Sequence, residues 1–164
     1  MHHAYLGLGS NLGDRLANLR AALARLRGVR ACSSVYETEA LTVEPQPAFY
    51  NAVVEVEVEE GPRALLQRCL ALEAALGRRR TTLQAPRIID VDLLLYDELV
   101  AAWPELVLPH PALAHRAFVL RPLAELAPGL RDPRDGRVLH DLLAVLERTQ
   151  RMRRIGSLAE DRGS

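Results

Sequence analysis

The sequence predicts an α+β sandwich, and three observations carry this prediction. Periodic segments follow one another in the order strand, helix, strand, strand, helix, strand over residues 4–96. Valine and glutamate alternate over residues 54–59, which is typical of a strand with one dry and one solvated face. Glycine and proline punctuate the boundaries, as at Gly61-Pro62. Two helices on one face of a mostly antiparallel sheet make a ferredoxin-like sandwich.

The first half of the chain supplies three strands and one helix. The helix is predicted from leucines that recur at three- and four-residue steps until Gly28 ends the pattern. The strands are predicted from β-like alternation. In chain order these elements are a strand at 4–9, a helix at 12–26, and strands at 29–37 and 52–60.

The second half continues the pattern and adds a C-terminal helical extension. A helix opens at Gly61-Pro62, and Gly77 is a natural residue to follow its end. The remaining predicted elements are an apolar strand at 88–96, a short hairpin partner at 98–108, and helices at 112–127 and 138–150. We expect a single domain over residues 1–164, with a loose arginine-rich tail at about 151–164.

The composition predicts an ordinary globular protein and argues against several classes. Its 21 basic and 21 acidic side chains give zero formal charge, whereas general nucleic-acid and membrane-surface binders carry a basic excess. No apolar stretch approaches the roughly 20 residues that span a bilayer. Two cysteines are too few for a disulfide framework or a zinc site. We therefore expect a cytoplasmic protein without a nucleic-acid or membrane partner. We also expect a monomer, although composition does not bear on oligomeric state.

The strongest chemical signal is the aspartate pair Asp90 and Asp92, on a strand apolar enough to be central in the sheet. Side chains two apart on a strand project to the same face, with Cα atoms roughly 6–7 Å apart. Two carboxylates taken out of water at this spacing need a cation, and magnesium prefers carboxylate and phosphate oxygens. The pair predicts magnesium binding, with two ions about 3.5–4 Å apart beside a triphosphate. Two alternative interpretations are that both aspartates lie at a solvated strand end, or that arginines neutralise them in a structural role.

Arginines stand close to this pair in the sequence. Arg78, Arg79 and Arg80 follow the second helix, and Arg87 lies three residues before Asp90. Guanidinium groups beside a carboxylate–metal site neutralise the charge on phosphate oxygens during phosphoryl or diphosphoryl transfer. A solvated basic loop is the alternative interpretation. A Walker-type phosphate loop is excluded because the chain contains no lysine.

Together these motifs resemble the 6-hydroxymethyl-7,8-dihydropterin pyrophosphokinase family over nearly the whole length. In chain order the matching motifs are Gly9-Ser10-Asn11-Leu12, Tyr36-Glu37-Thr38, Gln46-Pro47-Ala48-Phe49-Tyr50-Asn51-Ala52, Glu73 with Leu76-Gly77-Arg78-Arg79-Arg80, Pro86-Arg87-Ile88-Ile89-Asp90-Val91-Asp92-Leu93-Leu94, Pro109-His110-Pro111 and Arg116-Ala117-Phe118-Val119-Leu120-Arg121-Pro122-Leu123. The chain departs from the family at Leu83-Gln84-Ala85, where Arg-Trp-Gly is usual. An aromatic lid over the pterin is therefore not expected, and Trp103 lies too far along the chain to replace it.

The resemblance implies an ATP-dependent diphosphotransferase of folate biosynthesis. It would move the β,γ-diphosphate of ATP to the hydroxyl of 6-hydroxymethyl-7,8-dihydropterin and release AMP. ATP would be the co-substrate, and Asp90 and Asp92 would hold two Mg²⁺ ions. By the same resemblance, the catalytic residues would be Arg78, Arg87, Asp90 and Asp92. The residues that contact ATP would be Glu73, Arg80, His110 and Arg116. The residues that form the pterin slot would be Thr38, Leu41, Phe49, Asn51 and Phe118.

Two other classes of function are weighed beside this one. The first is another magnesium-dependent nucleotide-processing enzyme on a ferredoxin-like sheet, which would use the same aspartates but release diphosphate. The second is a non-catalytic ligand-binding module. RNA recognition on a sheet needs exposed aromatic residues, and the chain has only two Phe, four Tyr and one Trp.

Overall fold

A six-stranded antiparallel sheet lies at the centre of the computed structural model, which describes residues 1–38, 47–77 and 88–159. The strands are β1 (His2–Ser10), β2 (Val29–Cys32), β3 (Ser34–Thr38), β4 (Phe49–Val58), β5 (Asp90–Tyr96), β6 (Ala101–Ala102), β7 (Val107–Leu108) and β8 (Arg153–Ser157). The order across the main sheet is β5-β1-β4-β3-β8, and β2 also pairs with β4. Strands β6 and β7 form a separate two-stranded sheet.

Four α-helices within residues 1–38, 47–77 and 88–159 pack on this sheet. They are α1 (Arg15–Arg25), α2 (Pro62–Ala75), α3 (Ala117–Leu126) and α4 (Leu139–Leu146). Helix α1 begins later than predicted because the Asp14 side chain caps it, accepting the backbone N–H of Ala17. Among the described residues, no helix combines the length and apolar composition that a transmembrane segment requires.

The ferredoxin-like arrangement is confirmed, and the predicted β-α-β-β-α-β order holds except that the strand predicted at 29–37 is divided into β2 and β3. Helices α1 and α2 cover one face of the sheet, where they bury Leu6, Val54, Val56, Leu19 and Leu65. These side chains come from alternate positions on β1 and β4 and from one side of each helix. Their removal from water is the main favourable contribution to this half of the fold.

Helices α3 and α4 form a second layer on the opposite face. There Val53 and Leu94 from the sheet pack with Leu120, Leu123 and Leu143 from the helices. The C-terminal extension predicted from the sequence is therefore a structural layer of its own. This layer covers part of the sheet face that carries the glutamates of β4, which the valine–glutamate alternation predicted to be exposed to solvent.

Strand β5 differs from its predicted central position because it is the outermost strand on its side of the described sheet. Its apolar residues are nevertheless buried, since α2 covers one face of β5 while Leu94 and Leu95 lie in the core beneath α3 and α4. An apolar strand sequence thus indicates that both faces of the strand are covered. A strand at the edge of a sheet also meets this condition when helices pack on both of its faces.

The expectation of a loose tail is wrong for residues 153–157. They form β8, which pairs antiparallel with β3 at the edge of the sheet. Ile155 packs against the core, and the following Leu158 is completely buried. This short strand was not predicted from the sequence because its arginines are typical of an exposed tail. It forms by pairing with the edge of β3, which is distant in the sequence. Residues 160–164 lie outside the described part of the chain.

Gly28 joins α1 to β2 in a conformation that requires glycine. Its φ of 72° lies in the left-handed region, and a Cβ atom there would stand 2.1 Å from the carbonyl oxygen of Glu57. The Gly28 carbonyl in turn accepts the Glu57 N–H at 2.8 Å. The turn therefore brings β2 against β4 at a distance that no side chain allows.

Candidate active site

One row of paired residues crosses the sheet and brings predicted site residues together. Tyr36 pairs with Asn51, Asn51 with Gly9, and Gly9 with Asp90. Directly paired residues of antiparallel strands point to the same face. Asn51 and Asp90 therefore project from one face on either side of Gly9. Because Val53 in the same alternation packs under α3, this is the face that α3 and α4 cover.

Because Gly9 has no side chain, only backbone separates the Asn51 amide from the Asp90 carboxylate on this face of the sheet. A Cβ atom at this position would lie 3.1 Å from Asn51 Oδ1, 3.7 Å from the Phe49 ring and 3.8 Å from the Cβ of Asp90. Three side chains thus surround a point where β1 contributes only backbone. A flat ligand can approach the sheet closely here.

Asp90 and Asp92 share the face that their spacing predicts, since they pair with Gly9 and Gly7 of β1. Asp90 is half-buried at the first position of β5, and Asp92 is exposed, while Val91 between them is buried. The pair is therefore less buried than expected and opens toward solvent. This places the carboxylates where a hydrated cation and a phosphate chain can reach them.

The donor set of this pair suits magnesium. Two carboxylates offer hard oxygen ligands, and Gly9 opposite Asp90 has no side chain that would exclude water and phosphate oxygens. Among the described residues, no three His, Cys, Asp or Glu side chains cluster as a metal site made of protein ligands alone would require. The predicted ligand set is accordingly these two aspartates.

Glu73 supports the strand that carries the aspartates. It reaches from α2, is only 3% exposed, and accepts the backbone N–H of Val91 at 2.8 Å. This carboxylate therefore binds the residue between Asp90 and Asp92 on the outer edge of β5. The resemblance predicts an ATP contact for Glu73, and this structural role was not foreseen from the sequence.

The predicted pterin slot is assembled from β3 and β4. Thr38 and Phe49 are paired, and Asn51 Nδ2 donates to Thr38 Oγ1 at 2.9 Å. Both polar side chains are buried. The hydrogen bond fixes the amide so that its Oδ1 faces the space above Gly9. Asn51 is thereby oriented to accept a hydrogen bond from a ligand edge.

Phe118 borders the Thr38 side of the predicted slot from the second helical layer. It is half-buried near the start of α3, and together with Thr38 it lines a cavity of about 500 Å³. Residues 149–153 form the far wall of this cavity. Neither aspartate lines it, so the cavity extends the slot away from the carboxylates. The contribution of residues 149–153 was missed because they were assigned to the end of a helix and a loose tail.

His110 is held as a neutral hydrogen-bond donor. Its backbone N–H donates to the Leu94 carbonyl, and its Nδ1 accepts the N–H of Ala112 at 3.1 Å. Burial lowers the pKa of His110, the charge of Arg116 lowers it further, and Asp90 opposes them. With Nδ1 acting as acceptor, the ring proton sits on Nε2, where it can be donated to a phosphate oxygen.

Arg116 lies at the N-terminus of α3, next to Phe118. Its side chain is exposed, and the guanidinium carbon is 5.5 Å from the centroid of the Phe118 ring. The charge of Arg116 also contributes to the lowered pKa of His110. Arg116 and His110 are therefore a cationic and a neutral donor whose charges interact.

Some predicted site residues cannot be placed. Leu41, Arg78, Arg80 and Arg87 lie outside the described residues, as does the Leu83-Gln84-Ala85 departure. Trp103 is described, and its ring is covered by the guanidinium of Arg63 at 4.1 Å. It therefore packs against the start of α2, in agreement with its exclusion as a substitute lid.

Comparison with known proteins identifies the family. The family model for 7,8-dihydro-6-hydroxymethylpterin-pyrophosphokinase (HPPK) matches residues 5–128, which include every described residue of the predicted site. The chain belongs to the HPPK family. Within it, a Methylorubrum extorquens protein named 2-amino-4-hydroxy-6-hydroxymethyldihydropteridine pyrophosphokinase is 47% identical over 135 residues, covering 79% of this chain and 85% of that protein.

Two longer proteins are also similar to this chain. Folic acid synthesis protein fol1 of Schizosaccharomyces pombe is 39% identical over 148 residues, which are 87% of this chain but 20% of that protein. A Plasmodium falciparum HPPK-DHPS crystal structure with pterin and p-hydroxybenzoate has the same fold, with a TM-score of 0.72 at 16% identity. The similarity covers 87% of this chain and 42% of that one. The chain thus spans a minor part of these two proteins.

Proposed function

We propose that this protein transfers the β,γ-diphosphate of ATP to the hydroxyl of 6-hydroxymethyl-7,8-dihydropterin, giving AMP and the pterin diphosphate in folate biosynthesis. The observation that carries the proposal is the pairing of Asn51, Gly9 and Asp90 across the sheet. It sets an oriented amide and a carboxylate pair on one face, with bare backbone between them. One ligand can therefore meet a hydrogen-bonding group and a charge-binding group at once.

The pterin is proposed to lie between Phe49 and Phe118. Aromatic faces suit a flat heteroaromatic ring, and the buried pair of Thr38 and Asn51 would read its polar edge. Leu41, outside the described residues, is proposed to complete the slot. In this position the hydroxymethyl group is directed toward β5, and Asp92 helps to orient its oxygen.

Asp90 and Asp92 are proposed to hold two Mg²⁺ ions together with the ATP phosphates. When bound, these ions neutralise the negative charge of the triphosphate and of the transferring group. Both carboxylates stand on a strand fixed through Glu73, so their positions are set before ligands arrive. The resemblance also assigns Glu73 to ATP binding.

The remaining phosphate contacts are proposed to come from charged and neutral donors around the pair. His110 donates from Nε2 and Arg116 from its guanidinium. Arg80 is proposed to bind ATP, and Arg78 and Arg87 to stabilise the phosphates during transfer. The oxygen of the substrate hydroxyl bonds to the β-phosphorus and releases its proton to solvent. The bond from the β-phosphorus to the bridging oxygen breaks, and AMP leaves with its electron pair. No covalent enzyme intermediate forms.

The setting of the reaction is proposed from composition. The zero formal charge and the lack of a basic excess favour an enzyme that works without nucleic acid, and two isolated cysteines favour a cytoplasmic setting. We propose that the protein acts as a monomer.

The direct test mixes the protein with ATP, magnesium and 6-hydroxymethyl-7,8-dihydropterin and follows the products by phosphorus NMR. The proposal predicts AMP and a pterin diphosphate in equal amounts. Release of inorganic diphosphate would instead identify a nucleotidyl-transfer enzyme. Binding of ligands without any turnover would identify a binding module.

A further inference from the structure

The N-terminus of α3 is held by a side chain from a distant part of the sequence. Gln150 follows α4, and its Oε1 accepts the N–H of Ala117 at 2.7 Å. Its Nε2 donates to the carbonyl oxygen of His115 at 2.8 Å. One side-chain amide therefore binds both peptide groups that flank Arg116.

This bridge takes the place of an ordinary helix cap. The first N–H groups of a helix have no partner within it, and a Ser, Thr, Asp or Asn at the N-cap usually accepts one. Arg116 occupies the N-cap position of α3 and makes no side-chain cap hydrogen bond. Its φ of −128° and ψ of 113° are the extended values that such a position needs. Gln150 supplies the acceptor from outside the helix.

The segment that Gln150 holds carries two groups of the proposed site. The direction in which a side chain leaves the backbone is set by the peptide planes on either side. Two hydrogen bonds around Arg116 therefore fix the starting direction of its guanidinium and, two residues further on, of the Phe118 ring. The guanidinium carbon lies 5.5 Å from the centroid of that ring, so the two side chains are neighbours.

We propose that Gln150 is a positioning residue for the diphosphate transfer, acting through Arg116 on ATP and through Phe118 on the pterin. This inference rests on the proposed function, because it concerns the two ligands of that reaction. Gln150 itself takes no part in the chemistry. Its two hydrogen bonds prevent displacements of about 1 Å, which at a reacting centre can lower rates about a hundredfold.

The first test compares Gln150→Ala with Arg148→Ala, an exposed neighbour two residues earlier. We expect Gln150→Ala to raise KM for ATP and for the pterin about tenfold, since the groups that bind them are no longer held. Arg148→Ala should leave both constants unchanged. Hydrogen exchange at the Ala117 amide should also become at least about tenfold faster in Gln150→Ala only, because this N–H loses its acceptor.

A double variant separates positioning from a general structural effect. If Gln150 acts on ATP through Arg116, then adding Gln150→Ala to Arg116→Ala should change KM for ATP less than twofold. If the two effects multiply fully, Gln150 acts by another route and the inference is wrong.

A second substitution covers the case in which Gln150→Ala does not fold. Gln150→Glu keeps an acceptor for Ala117 N–H but sets a carboxylate against the His115 carbonyl oxygen, so one of the two hydrogen bonds is lost. We expect a folded protein with raised KM values. Unchanged KM values in folded Gln150→Glu would overturn the inference while leaving the proposed function in place. A wild-type protein that forms no AMP would instead contradict the proposed function, and the positioning role with it.

Discussion

Gly9 keeps the centre of the proposed site free of a side chain. It is paired with Asn51 on one side and with Asp90 on the other, so the space above it borders both side chains. Gly7 pairs with Asp92 further along β1, but there the Leu94 side chain lies 3.4 Å from where a Cβ atom would stand. Gly9 is therefore the position that keeps β1 from filling the space in front of Asp90.

Gly9→Ala tests this role. The added methyl group would lie 3.1 Å from Asn51 Oδ1, so the amide must shift and its contact with the pterin edge is weakened. We expect KM for the pterin to rise about tenfold, as for a lost or displaced hydrogen bond, with KM for ATP much less affected. The matched control is Gly129→Ala, where the methyl group meets no atom within 4 Å. Equal effects on both substrates would contradict the placement of the pterin beside Asn51.

His110 gives a pH-dependent test of the charges around the site. Its pKa is lowered from the usual 6.5 by burial and by Arg116, and Asp90 acts in the opposite direction. We expect its NMR titration midpoint in metal-free protein to lie below 6.5. Arg116→Ala should raise the midpoint because a repelling charge is removed, and Asp90→Asn should lower it. A midpoint that neither substitution moves would mean that neither side chain faces His110.

At the scale of elements, β5 depends on α2 for its outer edge. The strand pairs only with β1 among the described strands, and the Glu73 carboxylate binds the Val91 N–H on the other side. Without such an acceptor, the buried edge would carry an unsatisfied donor. The helix therefore fixes the backbone between the two aspartates.

Substitution of Glu73 should reveal this support. Glu73→Ala removes the acceptor of a buried N–H, and we expect the free energy of unfolding to fall by about 1–3 kcal/mol. Glu73→Gln retains a carbonyl oxygen at the same place and should lose less. Urea unfolding of both variants measures the difference. Equal losses would indicate that the charge of Glu73, rather than its bond to Val91, stabilises the protein.

The elements that were predicted correctly are those with a local signature. The leucine repeat of α1, Gly61-Pro62 before α2 and the valine alternation of β4 each lie within one element. By contrast, β8 exists because β3 offers an edge more than a hundred residues away, and its own residues read as a charged tail. The layer formed by α3 and α4 was likewise predicted only as an extension, since its partners Val53 and Leu94 are distant in sequence.

At the scale of the molecule, the site lies where the sheet meets its second helical layer. The sequence and its family resemblance predicted Asp90, Asp92, Asn51 and His110 as site residues, because each belongs to a recognisable motif. They could not predict the backbone contacts of Gln150 and Glu73. Both act by hydrogen bonds to the backbone of residues remote in sequence, and such bonds leave no pattern in a single chain.

The C-terminal segment is expected to stabilise the whole fold. Leu158 is completely buried, its N–H donates to the Ser33 carbonyl, and its own carbonyl accepts from Arg20. We expect Leu158→Ala to lower the free energy of unfolding by about 2–5 kcal/mol because it leaves a cavity in the core. Val145→Ala, at a side chain that is 59% exposed, should change it by less than about 0.5 kcal/mol. Similar small effects for both would mean that residues 153–158 do not pack as described.

The account as a whole depends on Asp90 and Asp92 acting together on the phosphates. The most direct measurement is the rate of AMP formation from ATP and 6-hydroxymethyl-7,8-dihydropterin in the wild type, Asp90→Asn, Asp92→Asn and the double variant. Glu98→Gln, an exposed carboxylate just past the end of β5, serves as the control. We predict a loss on the order of 10³-fold or more for each aspartate, in folded protein, and no loss for the control. Full turnover by the double variant would contradict the account.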